Sequence, residues 1–376
     1  MSAEIVYLET PIQAAKFFVQ FREGDTSLLA FDTETTGLNV RNGEAVPRII
    51  QFSWRPWEVA VVVNVPDKGE GEDDWRARFI EGMVGLADEI VGHNTKFDLH
   101  AMYTFGYDWV EKPHHDTMWS ARLFDERTSA KLKDLAVRYL DVDAADSQKE
   151  LKAAMRKGEW DWETVPIEYL IEYAGNDAII TGQLHDYLYP HIEYAYEAYA
   201  REQRLTPILF RMERTGLNID LELLEKTTIE YTANHASLSK KLQAFKPGFN
   251  PNSPAQIKAI LAERGVVVAD TRAATLQALN DEFVTVLLEY RTVQKTLSTY
   301  LRPWSELTKA TGRLHPWFNQ LGTKTGRFSS SDPNLQNITR GHVLRDMIIA
   351  APGYKIVVAD WNQMELRLYA HYANDE

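Results

Sequence analysis

The stretch "AFDTETTGL" at residues 30–38 decides how the first half of the sequence is interpreted. It continues an apolar run and carries two acidic residues, Asp32 and Glu34, two positions apart. Side chains alternate across a β-strand, so residues i and i+2 lie on the same face. Two carboxylates on one face repel each other, and a divalent cation is the usual compensation. A solvated strand end would also produce this pair, which alone is a weak signal.

The sequence around this stretch predicts an α/β unit over residues 1–195. Short β-branched segments bounded by turn residues are typical of strands. The predicted strands are 27–35, 48–54, 58–65 and 90–94, with helices over 75–89 and from Lys96 onwards. Pro166 suits the first turn of a long helix. The first half therefore alternates strands with helices, which favours an α/β fold.

Two later segments add acidic residues to the first pair. "VGHNTKFDLH" (91–100) places Asp98 on a helix just after a short strand. "YAGNDAIIT" (173–181) places Tyr173 and Asp177 four positions apart, on one face of a helix. A packed tyrosine beside a surface aspartate would explain the last pair alone. The whole set in this order favours a metal site.

The order D-x-E, N-x-x-x-D, Y-x-x-x-D resembles the three motifs of the D-E-D-D superfamily of 3′–5′ exonucleases, in its tyrosine-containing branch. This resemblance implies a ribonuclease-H-like fold and two Mg²⁺ or Mn²⁺ ions. The four ligands would be Asp32, Glu34, Asp98 and Asp177, and Tyr173 would orient the attacking water.

Two neighbouring segments also resemble this superfamily. They are "HHDTMWSARLF" (114–124), which contains Asp116, and "LKDLAVRYL" (132–140). We interpret His114 and His115 as surface histidines rather than metal ligands.

A long polar block, "TKTGRFSSSDPNLQNI" (323–338), lies in a basic segment. Arg327, Gln336 and Asn337 can donate to minor-groove acceptors or phosphates without selecting a sequence. A glycine turn and a serine-rich loop are the structural alternatives. The block resembles the first conserved block of family A DNA polymerases, of the bacterial DNA polymerase I type. The resemblance implies a DNA-binding set, which comprises Arg327, Gln336, Asn337, Asn334, Thr325 and Arg345.

The stretch "VVADWNQMELRLYAHYANDE" (357–376) resembles motif A of the same family. Its apolar start, "KIVVAD" (355–360), predicts a buried strand that ends at Asp360 and precedes a helix. The resemblance implies that Asp360 binds two catalytic ions together with the backbone carbonyl of Trp361. It also implies that Gln363 and Glu365 bind the nucleotide, with Glu365 as the steric gate against a ribose 2′-hydroxyl. The common family pattern has Tyr-Ser where this sequence has Trp361 and Asn362.

The composition and charge of the sequence exclude some classes of function. The 376 residues carry a formal net charge of −13, which argues against a protein that coats nucleic acid over its whole surface. Between residues 291 and 345, however, basic residues outnumber acidic ones. The absence of cysteine excludes disulfides and thiolate metal sites. With no membrane-length apolar run and no secretion signal, we expect a cytoplasmic protein in a bacterium or a phage-infected cell, and no membrane partner.

The resemblances divide the sequence into three predicted domains. Residues 1–195 form the exonuclease domain, 196–311 a mostly helical thumb, and 312–376 the start of the palm of a right-hand polymerase. The predicted thumb leaves no room for the insertion that recruits a thioredoxin-type clamp, so no such clamp is expected. Together with the lack of a preceding 5′ nuclease, this indicates a phage-like polymerase.

The family's fingers and its second metal-binding aspartate lie beyond motif A, and the sequence does not include them. We therefore expect a split polymerase, in which a second polypeptide supplies the fingers and the rest of the palm. The completed site would hold two more divalent ions and an incoming dNTP, and DNA primer–template and single-stranded 3′ ends would be the nucleic-acid partners. A truncated chain or one half of an intein-joined protein would give the same sequence.

Two other functions remain open on the sequence. One is a stand-alone 3′–5′ exonuclease of DNA or RNA with a nucleic-acid-binding C-terminal region, which a preference for DNA over RNA would disfavour. The other is a non-catalytic scaffold subunit, which nuclease activity lost on Asp32→Ala would exclude.

Overall fold

The computed structural model describes residues 3–68, 74–142, 145–338 and 342–374, with residues 145–147 described by their backbone alone. The chain divides into two units, each of which packs mainly against itself. The first comprises Met1–Gly216 and His315–Gln336, and the second Leu217–Leu314 and Asn337–Glu376. This division differs from the three domains expected from the sequence, whose boundaries stay a prediction.

The strands are short and bounded by turns. They are β1 (Glu4–Tyr7), β2 (Leu28–Thr35), β3 (Pro47–Trp54), β4 (Val59–Asn64), β5 (Glu89–Gly92), β6 (His114–Asp116), β7 (Leu217–Asn218), β8 (Arg313–Leu314), β9 (Trp317–Asn319) and β10 (Ser329–Ser331).

The helices of the first unit are α1 (Pro11–Glu23), α2 (Trp75–Leu86), α3 (Thr95–Thr104), α4 (Thr117–Phe124), α5 (Leu132–Tyr139), α6 (Ala145–Gly158), α7 (Ile171–Leu188) and α8 (Tyr196–Thr215). Those of the second unit are α9 (Leu221–Phe245), α10 (Pro254–Glu263), α11 (Ala273–Gln277), α12 (Glu282–Thr296), α13 (Arg302–Leu307), α14 (Val343–Asp346) and α15 (Met364–Ala373). Short 3-10 turns lie at Ile167–Tyr169 and Tyr189–Ala195, and a π turn at Leu297–Leu301.

The first unit is built on a six-stranded mixed sheet with the order β1-β4-β3-β2-β5-β6. Strand β3 runs antiparallel to β2 and β4, whereas the β1–β4, β2–β5 and β5–β6 pairs are parallel. The central strands are buried on both faces, which explains their continuous β-branched runs, such as "VAVVVN" in β4. Strand β2, which ends in the acidic pair, therefore lies in the middle of the sheet.

Helices cover both faces of this sheet. On one face, α1 and α2 pack around Phe21, Phe52 and Phe79. On the other, α7 packs against β1 to β5, with Ala174 beside Ile49 and Val62. Burial of these apolar side chains is the main stabilising contribution to the unit. Strands β9 and β10 form a separate antiparallel pair.

The second unit is mostly helical. Helices α9 and α12 pack along each other, and His235 stacks on Tyr290 with ring centroids 4.7 Å apart. Ser253 caps α10 by accepting the backbone N–H of Gln256, as the Ser-Pro signal predicts. Strands β7 and β8 pair antiparallel.

Several expectations about single elements can be scored. The four predicted strands and the helices at 75–89 and after Lys96 are confirmed, within a few residues at their ends. Pro166 instead precedes the short turn Ile167–Tyr169, and the long helix begins at Ile171.

The prediction of a buried strand at 355–360 is wrong. These residues form no regular strand, and Val357 and Val358 are 87% and 88% exposed. A strand needs a neighbour for its backbone N–H and C=O groups, and none of the described strands pairs with this segment. The helix predicted to follow it is present as α15.

Within the described residues, no helix is both long enough and apolar enough to cross a membrane.

Candidate metal centre

Strand β2 brings Asp32 and Glu34 to one face, as its alternation predicts, and both side chains are half-buried. Helix α7 adds Asp177, so that one ligand oxygen of each carboxylate lies within 4.8 Å of the others. We call these three residues the acid cluster. Asp32 also pairs across the sheet with Gln51, whose Nε2 donates to Asp32 Oδ2 at 2.6 Å.

The position of Asp177 depends on how closely α7 approaches the sheet. A Cβ atom at Gly175 would lie 2.4 Å from Ile5 Cγ2, and one at Gly182 would lie 2.4 Å from Trp57 Cε3. The two glycines are seven residues apart and so lie on one face of the helix, on either side of Asp177. Only residues without a side chain allow this packing.

Asp98 is the fourth predicted ligand, and it lies on α3 with 1% of its surface exposed. Its Oδ1 accepts the hydroxyl and the backbone N–H of Thr33, at 2.6 and 3.1 Å. These bonds attach Asp98 to the strand that carries Asp32. The structure therefore places Asp98 beside β2 but outside the group of three carboxylates that lie within 4.8 Å of one another.

Burial disfavours the charged form of these carboxyl groups, and their pKa values rise as a result. Burial raises the pKa of Asp32 to about 6. Burial, together with the charge of Asp32, raises the pKa of Glu34 and that of Asp98 well above the usual range. Desolvated carboxylates of like charge favour either a proton or a cation. A set of carboxylate oxygens fits hard divalent ions such as Mg²⁺ or Mn²⁺.

Tyr173 lies on α7 one turn before Asp177 and is half-buried. Burial, and then the charges of Glu34 and Asp32, raise the pKa of the Tyr173 phenol. The phenol therefore stays protonated at neutral pH and can donate a hydrogen bond.

Sequence reasoning missed Lys133. This residue is buried on α5, its Nζ contacts Asp177 Oδ1, and Nζ lies 4.6 Å from the centroid of the Tyr173 ring. The partners are 44 residues apart in the chain, so no local spacing announces the contact. The only signal was that Lys133 falls within the segment 132–140, which resembles the exonuclease superfamily.

The interpretation of His114 and His115 as surface residues is wrong, since each is only 5% exposed. His115 bonds the Tyr199 hydroxyl through Nδ1 at 3.0 Å and Glu89 Oε2 through Nε2 at 2.9 Å. Tyr189 also packs against the His115 ring, with centroids 4.9 Å apart. The edge strand β6 is covered by these aromatic side chains, which the sequence pattern of β6 does not reveal.

The residues predicted to bind DNA are exposed polar side chains. Thr325, Arg327, Asn334 and Gln336 belong to the first unit, and Asn337 and Arg345 to the second. Local bonds shape their loops: Asn334 Oδ1 accepts the Gln336 N–H at 3.0 Å, and Arg345 Nη2 donates to Ile338 O at 2.9 Å.

Asp360, Trp361, Gln363 and Glu365 are also exposed. Gln363 has a left-handed backbone conformation (φ 52°) and begins α15, whose first turn contains Glu365. The described residues therefore place this set at the start of one helix.

Comparisons with known proteins identify both parts of the chain. Residues 5–193 match the family model described as 3′–5′ exonuclease, so the acid cluster lies in a 3′–5′ exonuclease domain. Residues 221–376 match the model described as DNA polymerase family A. The chain belongs to the family A DNA polymerases of the DNA polymerase I type, with an exonuclease domain and part of a polymerase domain.

Curated relatives of the chain are considerably longer than it is. DNA polymerase I of Pseudomonas aeruginosa is 31% identical over 416 residues, covering 98% of this chain and 44% of that protein. DNA polymerase I of Chloroflexus aurantiacus is 33% identical over 312 residues, covering 76% and 32%. The thermostable DNA polymerase I of Thermus aquaticus is 34% identical over 267 residues, covering 64% and 30%. The chain thus spans less than half the length of these relatives.

A solved structure shares the fold. The POL domain of Pol1 from M. smegmatis, in complex with DNA primer–template and dNTP, matches with a TM-score of 0.75 and 21% identity. The match covers 98% of this chain and 63% of that one. The predicted fold class, an α/β exonuclease domain followed by a helical part of a DNA polymerase I fold, is confirmed.

Proposed function

We propose that this chain removes nucleotides from single-stranded 3′ ends of DNA by metal-dependent hydrolysis. The observation that carries the proposal is the acid cluster: three carboxylates whose ligand oxygens lie within 4.8 Å, on a sheet end and a facing helix. The exonuclease family match over residues 5–193 supports it.

Asp32, Glu34, Asp98 and Asp177 would hold two Mg²⁺ or Mn²⁺ ions. When bound, such ions supply an activated water and stabilise the leaving oxygen. The neutral phenol of Tyr173 would orient the water by hydrogen bonding. The amide of Gln51 donates to Asp32 Oδ2 and so fixes the orientation of this carboxylate.

We further propose that the chain contributes half of a DNA synthesis site. Asp360 and the Trp361 carbonyl would hold two further divalent ions, and Gln363 and Glu365 would contact the dNTP, with Glu365 as the steric gate. These site residues and the apolar residues at 356–358 are exposed, which supports the proposal that additional polypeptide covers them. We propose that this is a second polypeptide, which carries the fingers and the remaining palm. The protein would be cytoplasmic and of a phage-like type.

The duplex would be held by the polar block at 323–338 together with Arg345. The exposure of these side chains supports the proposed contacts, which are Thr325, Arg327, Asn334, Gln336, Asn337 and Arg345. Domain limits at 1–195, 196–311 and 312–376 are proposed for the exonuclease, thumb and partial palm. No thioredoxin-type clamp is proposed.

A single gel experiment tests both activities. The purified 376-residue chain is given a 5′-labelled primer–template with a mismatched 3′ end, Mg²⁺ and four dNTPs. Shortening without extension is expected, and Asp32→Ala should abolish it. No shortening by the wild-type chain would contradict the exonuclease proposal, and extension by the chain alone would contradict the shared synthesis site. An RNA strand of the same sequence, degraded equally well, would favour a general exonuclease instead.

A further inference from the structure

A positively charged side chain of the protein, Lys133, contacts the acid cluster. Lys133 is 9% exposed, and its ammonium contacts the carboxylate of Asp177. The Tyr173 ring packs against the same ammonium, 4.6 Å from Nζ to the ring centroid. A lysine is seldom buried unless it is paired. The contact therefore has to offset the cost of removing this charge from water.

Lys133 lies close to the whole cluster and not to Asp177 alone. One ligand oxygen each of Asp32, Glu34 and Asp177 lies within 4.8 Å of the others, so an ammonium in contact with Asp177 is also near Asp32 and Glu34. At such separations in a buried site, one positive charge attracts all three carboxylates.

The positive charge of a second residue, Arg48, also opposes the rise in the pKa of Glu34. The hydrogen bonds of Arg48, however, go to other groups. Its guanidinium donates to the backbone carbonyl groups of Trp162 and Val165 at 2.7 and 2.8 Å. Arg48 is thus fixed by backbone acceptors, whereas the ammonium of Lys133 directly contacts an oxygen that a metal ion would need.

We propose that Lys133 is the resident cation of the acid cluster. Its ammonium holds Asp177 in position before divalent ions bind, and it competes with them for this carboxylate. The inference rests on the proposed exonuclease function and assigns Lys133 as a positioning residue that sets the cation concentration at which the site is loaded.

The sign of the effect follows from charge. An ammonium beside a cation site repels any incoming divalent ion, and burial strengthens this repulsion relative to bulk water. Removing the charge should therefore tighten cation binding, although it removes a partner of Asp177. A merely structural lysine predicts the opposite, since loss of its contact would disorder Asp177 and weaken the site.

The test is a calorimetric titration of Mn²⁺ into the 376-residue chain at neutral pH. Asp32→Asn provides the baseline for cation sites elsewhere. Lys133→Met should lower the Mn²⁺ dissociation constant by roughly tenfold or more. Lys133→Arg keeps the charge and should stay close to wild type. Lys131→Met removes an exposed lysine from the start of the same helix and is the matched control, with no change expected.

Unchanged or weaker binding in Lys133→Met would overturn the proposal. If this variant fails to fold, Lys133→Gln removes the charge while keeping a polar side chain of similar reach. Thermal unfolding adds a second readout: without divalent ions the uncharged variants should melt below wild type, and Mn²⁺ should close the gap. An equal deficit with and without Mn²⁺ would also count against the proposal.

Activity separates this inference from the function on which it rests. Wild type should degrade a 5′-labelled single strand with Mn²⁺, and the Mn²⁺ concentration for half-maximal rate should fall in Lys133→Met in step with the dissociation constant. A wild-type chain that binds Mn²⁺ but does not degrade DNA contradicts the exonuclease proposal. An active wild type with no shift in the variant contradicts only the role of Lys133.

Discussion

The carboxylate of Asp116 accepts the backbone N–H of Thr95 at 2.9 Å and so caps the helix that carries Asp98. The residue at the helix start, Asn94, makes no side-chain cap of its own, and its N–H also donates to Asp116 at 3.0 Å. The same carboxylate accepts the N–H of Met118 at 2.8 Å and caps α4. One buried acid thus caps the N-terminal ends of two helices in the unit that holds the acid cluster.

Replacing Asp116 should therefore destabilise the first unit. Asp116→Ala leaves three backbone N–H groups without their acceptor, and the free energy of unfolding should fall by about 2–4 kcal/mol. Urea titration followed by circular dichroism measures the change. Glu193→Ala, at an exposed site, is the control and should stay within about 0.5 kcal/mol of wild type. A loss below about 1 kcal/mol for Asp116→Ala would show that the caps are dispensable.

The buried pair Lys96–Glu213 gives a second stability prediction. Glu213 is fully buried and accepts from Lys96 Nζ, His100 Nε2 and the Phe318 N–H. Glu213→Gln leaves the Lys96 charge buried without a counter-charge and should cost about 3–5 kcal/mol of unfolding free energy. The double variant Lys96→Met with Glu213→Gln should recover part of this loss.

Chemical denaturation of the single and double variants forms the cycle that tests this pairing. Glu89→Gln is the matched control, since Glu89 bonds His115 with a side chain that is 47% exposed. This variant should cost less than about 1 kcal/mol. Strictly additive losses in the Lys96 and Glu213 variants would argue against the pairing.

Asp186 should make stability depend on acidity. Arg55 donates to it from Nη2 at 2.7 Å and Trp57 from its indole N–H at 2.7 Å, with His185 nearby. Burial by itself raises the pKa of Asp186, but the hydrogen bonds from these three residues outweigh it and hold the pKa well below its usual range.

The sign of this dependence follows from linkage. Because the folded-state pKa of Asp186 is depressed, its contribution is full above the unfolded value of about 3.9 and is lost as pH falls below it. The difference in unfolding free energy between wild type and Asp186→Asn should be larger at about pH 7 than at about pH 2. Equal differences at both values would rule out the linkage.

Tyr173→Phe should separate chemistry from structure. It removes a hydroxyl next to the acid cluster, and the exonuclease rate should fall by roughly ten- to a hundredfold if this hydroxyl orients the water. Mn²⁺ affinity and melting temperature should hardly change. Tyr169→Phe, at a tyrosine 45% exposed just before the same helix, is the control. An unaltered rate in Tyr173→Phe would remove this residue from the mechanism.

The apolar segment at 356–358 should tolerate charge in this chain. Val357→Asp with Val358→Asp should change the unfolding free energy by less than about 0.5 kcal/mol, because both side chains already face solvent. Val91→Asp, at a fully buried site in β5, should cost several kcal/mol by burying an unpaired charge. A large loss in the double variant would mean that the segment packs against the rest of the chain.

Local sequence patterns predicted most helices and strands, but they did not reveal contacts between residues that are far apart in the chain. The alternation in β2 predicted that Asp32 and Glu34 share a face, and helical spacing predicted that Tyr173 and Asp177 lie on one helix, since both periodicities are properties of a single segment. The structure brings the three carboxylates within 4.8 Å of one another. Lys133 reaches the acid cluster from a helix 44 residues before Asp177, and only tertiary packing creates that contact. The buried His114 and His115 were missed for the same reason.

The strand wrongly predicted at 355–360 is the opposite case, in which a local pattern indicates an element that the structure does not form. Its β-branched run has the propensity of a strand, but propensity fixes only what a segment can do next to a suitable partner. None of the described strands supplies that partner. The β-branched side chains of Val357 and Val358 therefore favour a strand, but no described strand lies beside them to pair with. The sequence shows the side chains and not these surroundings.

The close approach of α7 to the sheet has a bearing on how natural and laboratory variants are classified. A single methyl group at Gly175 or Gly182 would collide with Ile5 or Trp57 and lift the helix that carries Asp177. A survey that checks only for motif residues would count such a chain as intact. The defect would arise at two positions outside the acid cluster, so variants at Gly175 and Gly182 should be classified together with variants of the acidic residues themselves.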